Sequence, residues 1–276
     1  MDLLSFLFRE KTYFYPEKLK EETAIIGLLR VRNEELILSD TLDHMGKIVD
    51  AIYVYDDCST DSTLEILKAN SKVCGIISNR FWRKGLKHRQ VEETRHRQLL
   101  LSNARKTIRG IKWFFYFDAD ERFLGDIRRE LLDGSLDEFD GIKINLFDAY
   151  ITENDSLAYK NGEQLLDFRK FFGPEYREVL MIWKNNPGVG FYGLDKREPT
   201  LRSSNLISRF YCQHYGKSIS IEQWEETCDY YYKNFPFETY GKKWLARKGK
   251  AIHQFSDFGR PLYKWGEELF LNRVKI

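Results

Sequence analysis

Short unbroken apolar runs alternate with amphipathic stretches along the first half of the chain. Ala24-Ile25-Ile26-Gly27-Leu28-Leu29 is apolar throughout, which predicts a strand covered on both faces. Polar residues 30–35 follow, and then Ile37, Leu38, Leu42, Met45 and Ile48 recur at helical spacing. Ala51-Ile52-Tyr53-Val54-Tyr55 predicts a second strand, closed by Asp56-Asp57-Cys58-Ser59-Thr60-Asp61. Ser59 or Thr60 can cap the next helix, whose inner side carries Leu64, Ile66 and Leu67. Residues 73–77 predict a third strand, and a basic stretch over 80–97 leads into a helix over 94–106. Trp113-Phe114-Phe115-Tyr116-Phe117 predicts a fourth, fully buried strand that runs straight into Asp118-Ala119-Asp120-Glu121.

This alternation predicts an α/β fold, a doubly wound and mainly parallel sheet with right-handed crossovers. Ligands of such sheets bind beyond the carboxyl ends of the strands, where three polar clusters (30–35, 56–61 and 118–121) fall. From about residue 126 the pattern changes. A strand is predicted over 141–146, loops over 150–200 and a helix over 218–234, and the last forty residues are rich in Lys, Trp and Gly. The expected organisation is a lead-in (1–22), a first half (23–125) and a second half (126–276). No linker separates the halves, so one continuous domain is expected.

Composition narrows the class only a little. The 276 residues are 42% hydrophobic and 31% charged, as in an ordinary globular protein. The formal charge of +2 demands no nucleic-acid partner. Cys58, Cys74, Cys212 and Cys228 show no zinc-like spacing and read as reduced thiols of a cytoplasmic compartment. No stretch approaches the roughly 20 apolar residues of a membrane span. Residues 1–9 lack the basic lead-in and cleavage site of a secretion signal. Two segments leave a peripheral membrane contact open: that N-terminal apolar run, and the basic 241–250 stretch with its apolar insertions. A docked turn and a solvated basic helix are the simpler readings of the two.

The chemistry concentrates at the strand ends. Asp118 and Asp120, two apart, point the same way and can share one hard cation, Mn²⁺ or Mg²⁺, through oxygen ligands. Such an ion stabilises charge that builds on a diphosphate leaving group. Asp56 or Asp57 can accept hydrogen bonds from a nucleobase or ribose, while Ser59, Thr60 and Asp61 serve the turn. Arg80, Arg83, Lys84, Lys87, Arg89, Arg95 and Arg97 create the positive field a diphosphate needs, and most of them are also expected on a solvated helix face.

Arg30-Val31-Arg32-Asn33-Glu34-Glu35, Asp56-Asp57-Cys58-Ser59-Thr60-Asp61 and Asp118-Ala119-Asp120-Glu121 together resemble the successive signatures of family-2 glycosyltransferases over residues 23–125. The resemblance implies the GT-A fold and a typically inverting transfer of a sugar from a UDP-, GDP- or dTDP-sugar to a glycan or lipid-linked acceptor. It also implies roles. Asp120 is the principal metal ligand, and Asp118 contacts the ribose or the metal's water shell. Asp57, with Asp56 in reserve, holds the nucleoside, and Arg32 and Glu34 of the first cluster are further donor contacts. Arg95 or Arg97 faces the diphosphate or the donor sugar, and His214 is a further metal or diphosphate contact. Cys58 stands where the family usually has glycine, and Arg30 and Arg32 stand where many relatives have small residues.

Inversion needs a carboxylate to take the acceptor's proton. Glu198 is the first candidate and Asp195 the second, with Glu153 and Asp155 behind them; each competes with a surface ion pair. Trp183, Phe191 and Tyr192 can stack on sugars or pack in the core. The alternatives to sugar transfer are a nucleotidyltransferase, which would want a glycine-rich loop after the first strand, and a non-catalytic nucleotide-sugar-binding paralogue.

Overall fold

The structure is a computed structural model and describes residues 9–82, 85–202 and 205–276. The N-terminal apolar run up to Phe8, with Arg83 and Lys84 of the basic stretch, lies outside the described residues, as does the side chain of Lys87. In chain order the first half is β1 (Glu10–Phe14), β2 (Ile25–Val31), α1 (Leu38–Gly46), β3 (Ala51–Asp56), α2 (Thr63–Ala69), β4 (Val73–Asn79), α3 (Leu86–Thr107) and β5 (Trp113–Phe117). The second half is β6 (Glu121–Leu124), α4 (Ile127–Leu132), β7 (Gly141–Tyr150), β8 (Phe171–Lys184), β9 (Leu206–His214), α5 (Ile221–Asn234), α6 (Lys242–Arg247), β10 (Tyr263–Lys264), α7 (Glu267–Leu271) and β11 (Val274–Lys275).

The fold is α/β. Its strands form one sheet in the order β1-β4-β3-β2-β5-β8-β7-β9-β6, with β10 and β11 added on β8. The four central strands of the first half, β4-β3-β2-β5, are parallel. Their apolar runs are continuous because both sheet faces are covered. Ile25, Leu29, Val54, Phe115 and Phe117 enter one core, with Leu38 and Leu42 of α1. Ile26, Leu28, Tyr53, Tyr55, Phe114 and Tyr116 enter the other, with Leu100, Leu101 and Ala104 of α3. Gly75 is required on β4 because a Cβ there would sit 2.3 Å from the Tyr53 ring.

The second half is mixed. β8 runs antiparallel to both β5 and β7, β9 is parallel to β7, and β6 closes the edge antiparallel to β9. The sheet thus continues without a break past residue 125. The loop-rich expectation for 150–200 is corrected: the fourteen-residue β8 lies inside it. Gly173 and Pro174, which read as punctuation, fall where Phe147 and Ala149 pair with Tyr176 and Phe172, a bulge that spares Pro174 any ladder bond.

Chain order makes the site. From β2 the chain steps outward to β3 and β4, and then the 22-residue α3 carries it back to β5 on the other side of β2. The carboxyl ends of β2 and β5 therefore diverge at a topological switch point, where open α/β sheets bind ligands. Arg32 to Glu34 stand at one side of it and Asp118 to Asp120 at the other.

Candidate functional site

A cleft of about 420 Å³ opens over the ends of β2, β3 and β4 and is walled by α3 and α5. Arg30 lines it from β2, Arg32 and Glu34 from the turn that follows, Asp57 from just beyond β3, Asn79 from β4, and Tyr230 and Tyr231 from α5. Arg32 stacks on Trp82, its guanidinium 3.6 Å from the ring centre.

The two aspartates after β3 separate cleanly. Asp56 is buried, accepts from the Ser59 amide (3.2 Å) and the Ser78 hydroxyl (3.1 Å), and closes the turn. Burial pushes its carboxyl pKa up. Asp57 lines the cleft and is fixed by Arg30 (2.6 Å) and Asn79 (2.9 Å). Burial works against its charge, but Arg30 and His96 hold its pKa below the usual carboxylate range. Cys58 keeps the left-handed backbone (φ 60°) that a glycine at this position would adopt freely.

Arg95 does not line the cleft. It binds Glu10, Glu92 (2.9 Å) and the Tyr55 hydroxyl (3.3 Å), tying α3 to β1. One turn along the helix from Glu93, Arg97 is buried over the Tyr116 ring. Tyr116, Asp118 and Glu93 raise its pKa against the burial that lowers it.

At the β5 end, Asp118 accepts from the Tyr116 hydroxyl (3.3 Å) and pairs with Arg197 (3.3 Å). Arg197 also binds the fully buried Glu121, whose carboxylate accepts from the Asp118 amide (2.8 Å). Asp120 faces His214 at 3.5 Å. Gly216 makes this approach possible: a Cβ there would lie 2.7 Å from Asp120 Oδ2 and 2.9 Å from His214 Nε2. Gly216→Ala is expected to retain the fold and weaken nucleotide-diphosphate binding about tenfold, as a displacement well under an ångström does. Titration calorimetry checks it, and unchanged affinity would remove Asp120 and His214 from the ligand contacts.

The other ring nitrogen of His214, Nδ1, lies 2.7 Å from Asp148, which also binds Lys217 (3.2 Å) and Arg177 (2.6 Å). Burial pulls the His214 pKa down, but Asp120 and Asp148 lift it to about 10. In that form the ring is an imidazolium that donates from both nitrogens, which suits an anion better than a metal.

Glu34 joins the cleft to this cluster. Burial and then the charges of Asp120, Asp118 and Asp61 push its pKa well up. Asp118 and Asp120 themselves are not among the residues lining the cleft. Among the described residues no group of three or more His, Cys, Asp or Glu side chains is spaced to hold a metal ion. The donor chemistry nonetheless fits a hard cation: oxygen ligands on two strand-end carboxylates whose charge now rests on a guanidinium and an imidazolium. A cation binding both would displace Arg197 or His214.

The carboxylates of the 190–200 loop diverge. Glu198, the first candidate base, instead accepts from the Leu180 amide (3.0 Å) on β8. Asp195 has a left-handed backbone (φ 51°), and its amide donates to the Gln90 carbonyl (2.9 Å) of α3. Burial, the charge of Glu93 and a hydrogen bond that the protonated Asp195 carboxyl gives to Glu93 raise the Asp195 pKa. Asp155 is spent on Arg169 (3.2 Å) and the Lys170 amide, and Glu153 is exposed. Trp183 and Phe191 are buried in the core against each other, while Tyr192 is exposed.

Arg197 was not singled out from the sequence. Its signal is an unsatisfied donor: the buried arginine Nε atoms with no hydrogen-bond partner among the described residues are those of Arg9, Arg32, Arg97 and Arg197. Buried donors are normally satisfied, and these four, Arg9 and Arg32 on the cleft wall and Arg97 and Arg197 towards the β5 end, are donors that an anion would satisfy.

No family model matches the chain, and no curated protein matches it significantly. Among solved structures it is similar to the 4-diphosphocytidyl-2C-methyl-D-erythritol synthase of Anaerococcus prevotii, at 11% identity, covering 59% of this chain and 71% of that one with a TM-score of 0.32. It is similar to HddC from Yersinia pseudotuberculosis at 13% identity, covering 75% of this chain and 98% of that one with a TM-score of 0.33. A Bacillus anthracis protein described as a glucose-1-phosphate thymidylyltransferase, in complex with sucrose, is similar at 10% identity, covering 83% and 85% with a TM-score of 0.29. Likenesses of this degree carry nothing about activity.

Proposed function

We propose that the chain is a glycosyltransferase of family-2 type that moves a sugar from a nucleoside-diphosphate sugar to an acceptor hydroxyl with inversion. The observation that carries this reading is the set of orphaned guanidinium Nε atoms, Arg32, Arg97 and Arg197, beside converging carboxylates at the switch point. Positive donors without acceptors next to acids without a shared cation are what a metal-bound diphosphate would satisfy together. In this reading Asp57 and the aromatic wall of the cleft take the nucleoside, and Arg32 and Arg97 the phosphates. Arg197 leaves Asp118 for the diphosphate, and the His214 imidazolium donates to it from the other side. A Mn²⁺ or Mg²⁺ ion on Asp118 and Asp120 would supply charge stabilisation of the leaving diphosphate. Asp195, whose raised pKa suits proton capture, takes the acceptor's proton in preference to Glu198.

A ligand that binds only the native state raises its melting temperature, by about 2.7 kcal/mol of stabilisation at a hundredfold excess over Kd. One of UDP, GDP and dTDP is expected to stabilise the protein strongly with Mn²⁺ and weakly without it. The matching nucleotide sugar should then release nucleoside diphosphate in the presence of acceptor. No stabilisation by any of the three overturns the proposal. Nucleotidyl transfer is the competing reaction, and pyrophosphate release from a nucleoside triphosphate and a sugar 1-phosphate would establish it instead. The polar sequence Arg30-Val31-Arg32-Asn33 after β2 has no glycine with which to cradle a triphosphate. Binding without turnover of either kind would make the chain a non-catalytic binding module.

A further inference from the structure

The 242–260 segment carries six cations, Lys242, Lys243, Arg247, Lys248, Lys250 and Arg260, against one acid, Asp257. The whole chain has a net charge of only +2, so the remainder of the molecule is net negative and positive charge is gathered here. Three of the cations are paired, Arg247 to Asp257 (2.9 Å), Lys248 to Asp229 and Arg260 to Glu175 (3.0 Å). Lys242, Lys243 and Lys250 are exposed and make no ion pair among the described residues.

Packing fixes which side of this segment faces out. Trp244 of α6 turns inward, stacked on Tyr231 at 4.5 Å and tilted against Trp224 at 6.1 Å. Lys242, Lys243 and Leu245 remain exposed. The following turn is equally well held. Ser256 is buried, its amide donates to the Arg260 carbonyl (2.8 Å) and its hydroxyl to Glu175 (2.9 Å). The Asp257 carboxylate accepts from Lys217 (2.9 Å). On this braced turn Phe255 and Phe258 stand in water, at 54% and 57% exposure. The Arg247–Asp257 pair joins the turn to the end of α6, so cations and exposed phenylalanines are neighbours.

We propose that this surface, α6 with the Phe255–Phe258 turn, docks the protein on an anionic lipid bilayer. Aromatic side chains on a rigid turn can enter the headgroup boundary without an ordering cost, and the adjacent lysines are drawn to anionic headgroups. The same turn reaches the strand-end acids through a continuous series of contacts, Asp257 to Lys217, Lys217 to Asp148, Asp148 to His214 and His214 to Asp120. Docking would therefore bring the candidate site up to a bilayer surface and to an acceptor held in it. That last step rests on the proposed sugar transfer; the docking does not.

The test is cosedimentation of the full chain with phosphatidylcholine vesicles, with and without phosphatidylglycerol, at low and high salt. Binding is expected only to the anionic vesicles and is expected to fall at high salt. Each lysine contributes about fivefold to binding at such a surface, so Lys242→Gln with Lys243→Gln should weaken it by about 30-fold. Phe255→Ser with Phe258→Ser should abolish it. Both pairs are exposed, so an unchanged melting temperature will certify the fold. Failure to bind anionic vesicles, equal binding to neutral ones, undiminished binding by either double variant, or a preference for a single-stranded oligonucleotide over vesicles overturns the proposal. None of these readouts depends on turnover, so nucleotide binding can stand when docking fails, and the reverse.

Discussion

Asp120→Ala is expected to lower the proposed sugar transfer about a thousandfold, the scale of losing one group that stabilises charge in the transition state. Asp120 is held from three sides. The Tyr215 amide donates to its carbonyl (2.9 Å), His214 faces its carboxylate, and Gly216 leaves the space between them. Burial disfavours its charge, yet His214 and then Arg197 keep its pKa below the usual carboxylate range, so the carboxylate is ionised and available to a cation at neutral pH. Removing it should erase the metal-dependent part of nucleotide stabilisation and leave the metal-independent part, since Asp57 and the cleft are untouched. Asp195→Asn provides the contrast: a comparable fall in turnover with nucleotide binding intact. Release of nucleoside diphosphate, measured alongside melting temperature with nucleotide and Mn²⁺, separates the two. A variant that keeps its metal-dependent stabilisation shows that the ion, if any, binds elsewhere.

The first half of the molecule is legible because its physics is local. A parallel strand buried on both faces must be apolar at every position, so residues 24–29, 51–55 and 113–117 announce themselves, and their order with α3 places the switch point. The acids at their ends are legible for the same reason: a charged cluster after an all-apolar run has nowhere to go but the strand tip. What the sequence leaves open is how paired groups partition. Asp56 and Asp57 are adjacent and chemically identical, and only the backbone turn decides that one bonds Ser59 and Ser78 while the other meets Arg30 and Asn79. Glu198 and Asp195 divide similarly, the first on a β8 amide and the second against α3. Both partners are distant in sequence, and β8 itself is hidden by Gly173 and Pro174. Arg197 is invisible for the complementary reason, since an arginine among Lys196 and Glu198 reads as a solvated charge until Asp118 and Glu121 are brought to it from another strand.

Arg122→Met is expected to destabilise the fold by about 3–5 kcal/mol, the cost of stripping one partner from a buried ion pair. Arg122 of β6 is fully buried. Its guanidinium donates to Asp40 twice (2.9 and 2.7 Å), to the Thr41 hydroxyl (3.1 Å), and to the backbone carbonyls of Ala119 (3.0 Å) and Glu121 (2.7 Å). Thr41 in turn donates to the Ala119 carbonyl (2.6 Å), and His44 accepts from the Phe123 amide (2.9 Å). Asp40, Thr41 and His44 share one face of α1, so that helix grips the turn carrying Asp118 and Asp120 directly through Thr41 and His44 and, with the most bonds, through the Arg122 guanidinium. Methionine fills much of the volume but satisfies none of the acceptors, and the Asp40 carboxylate loses the two bonds that Arg122 gives it. For a domain of this size the loss corresponds to a fall in melting temperature of roughly 10 °C. Adding Asp40→Leu to Arg122→Met should recover part of that fall, because the remaining charge is then removed as well. The recovery should be confined to stability: with the Arg122 bonds to Ala119 and Glu121 gone and only the Thr41 hydroxyl left on the Ala119 carbonyl, metal-dependent nucleotide binding should stay weak in the double variant. A melting temperature within about 2 °C of the parent for Arg122→Met would mean that the guanidinium network contributes little to holding this turn.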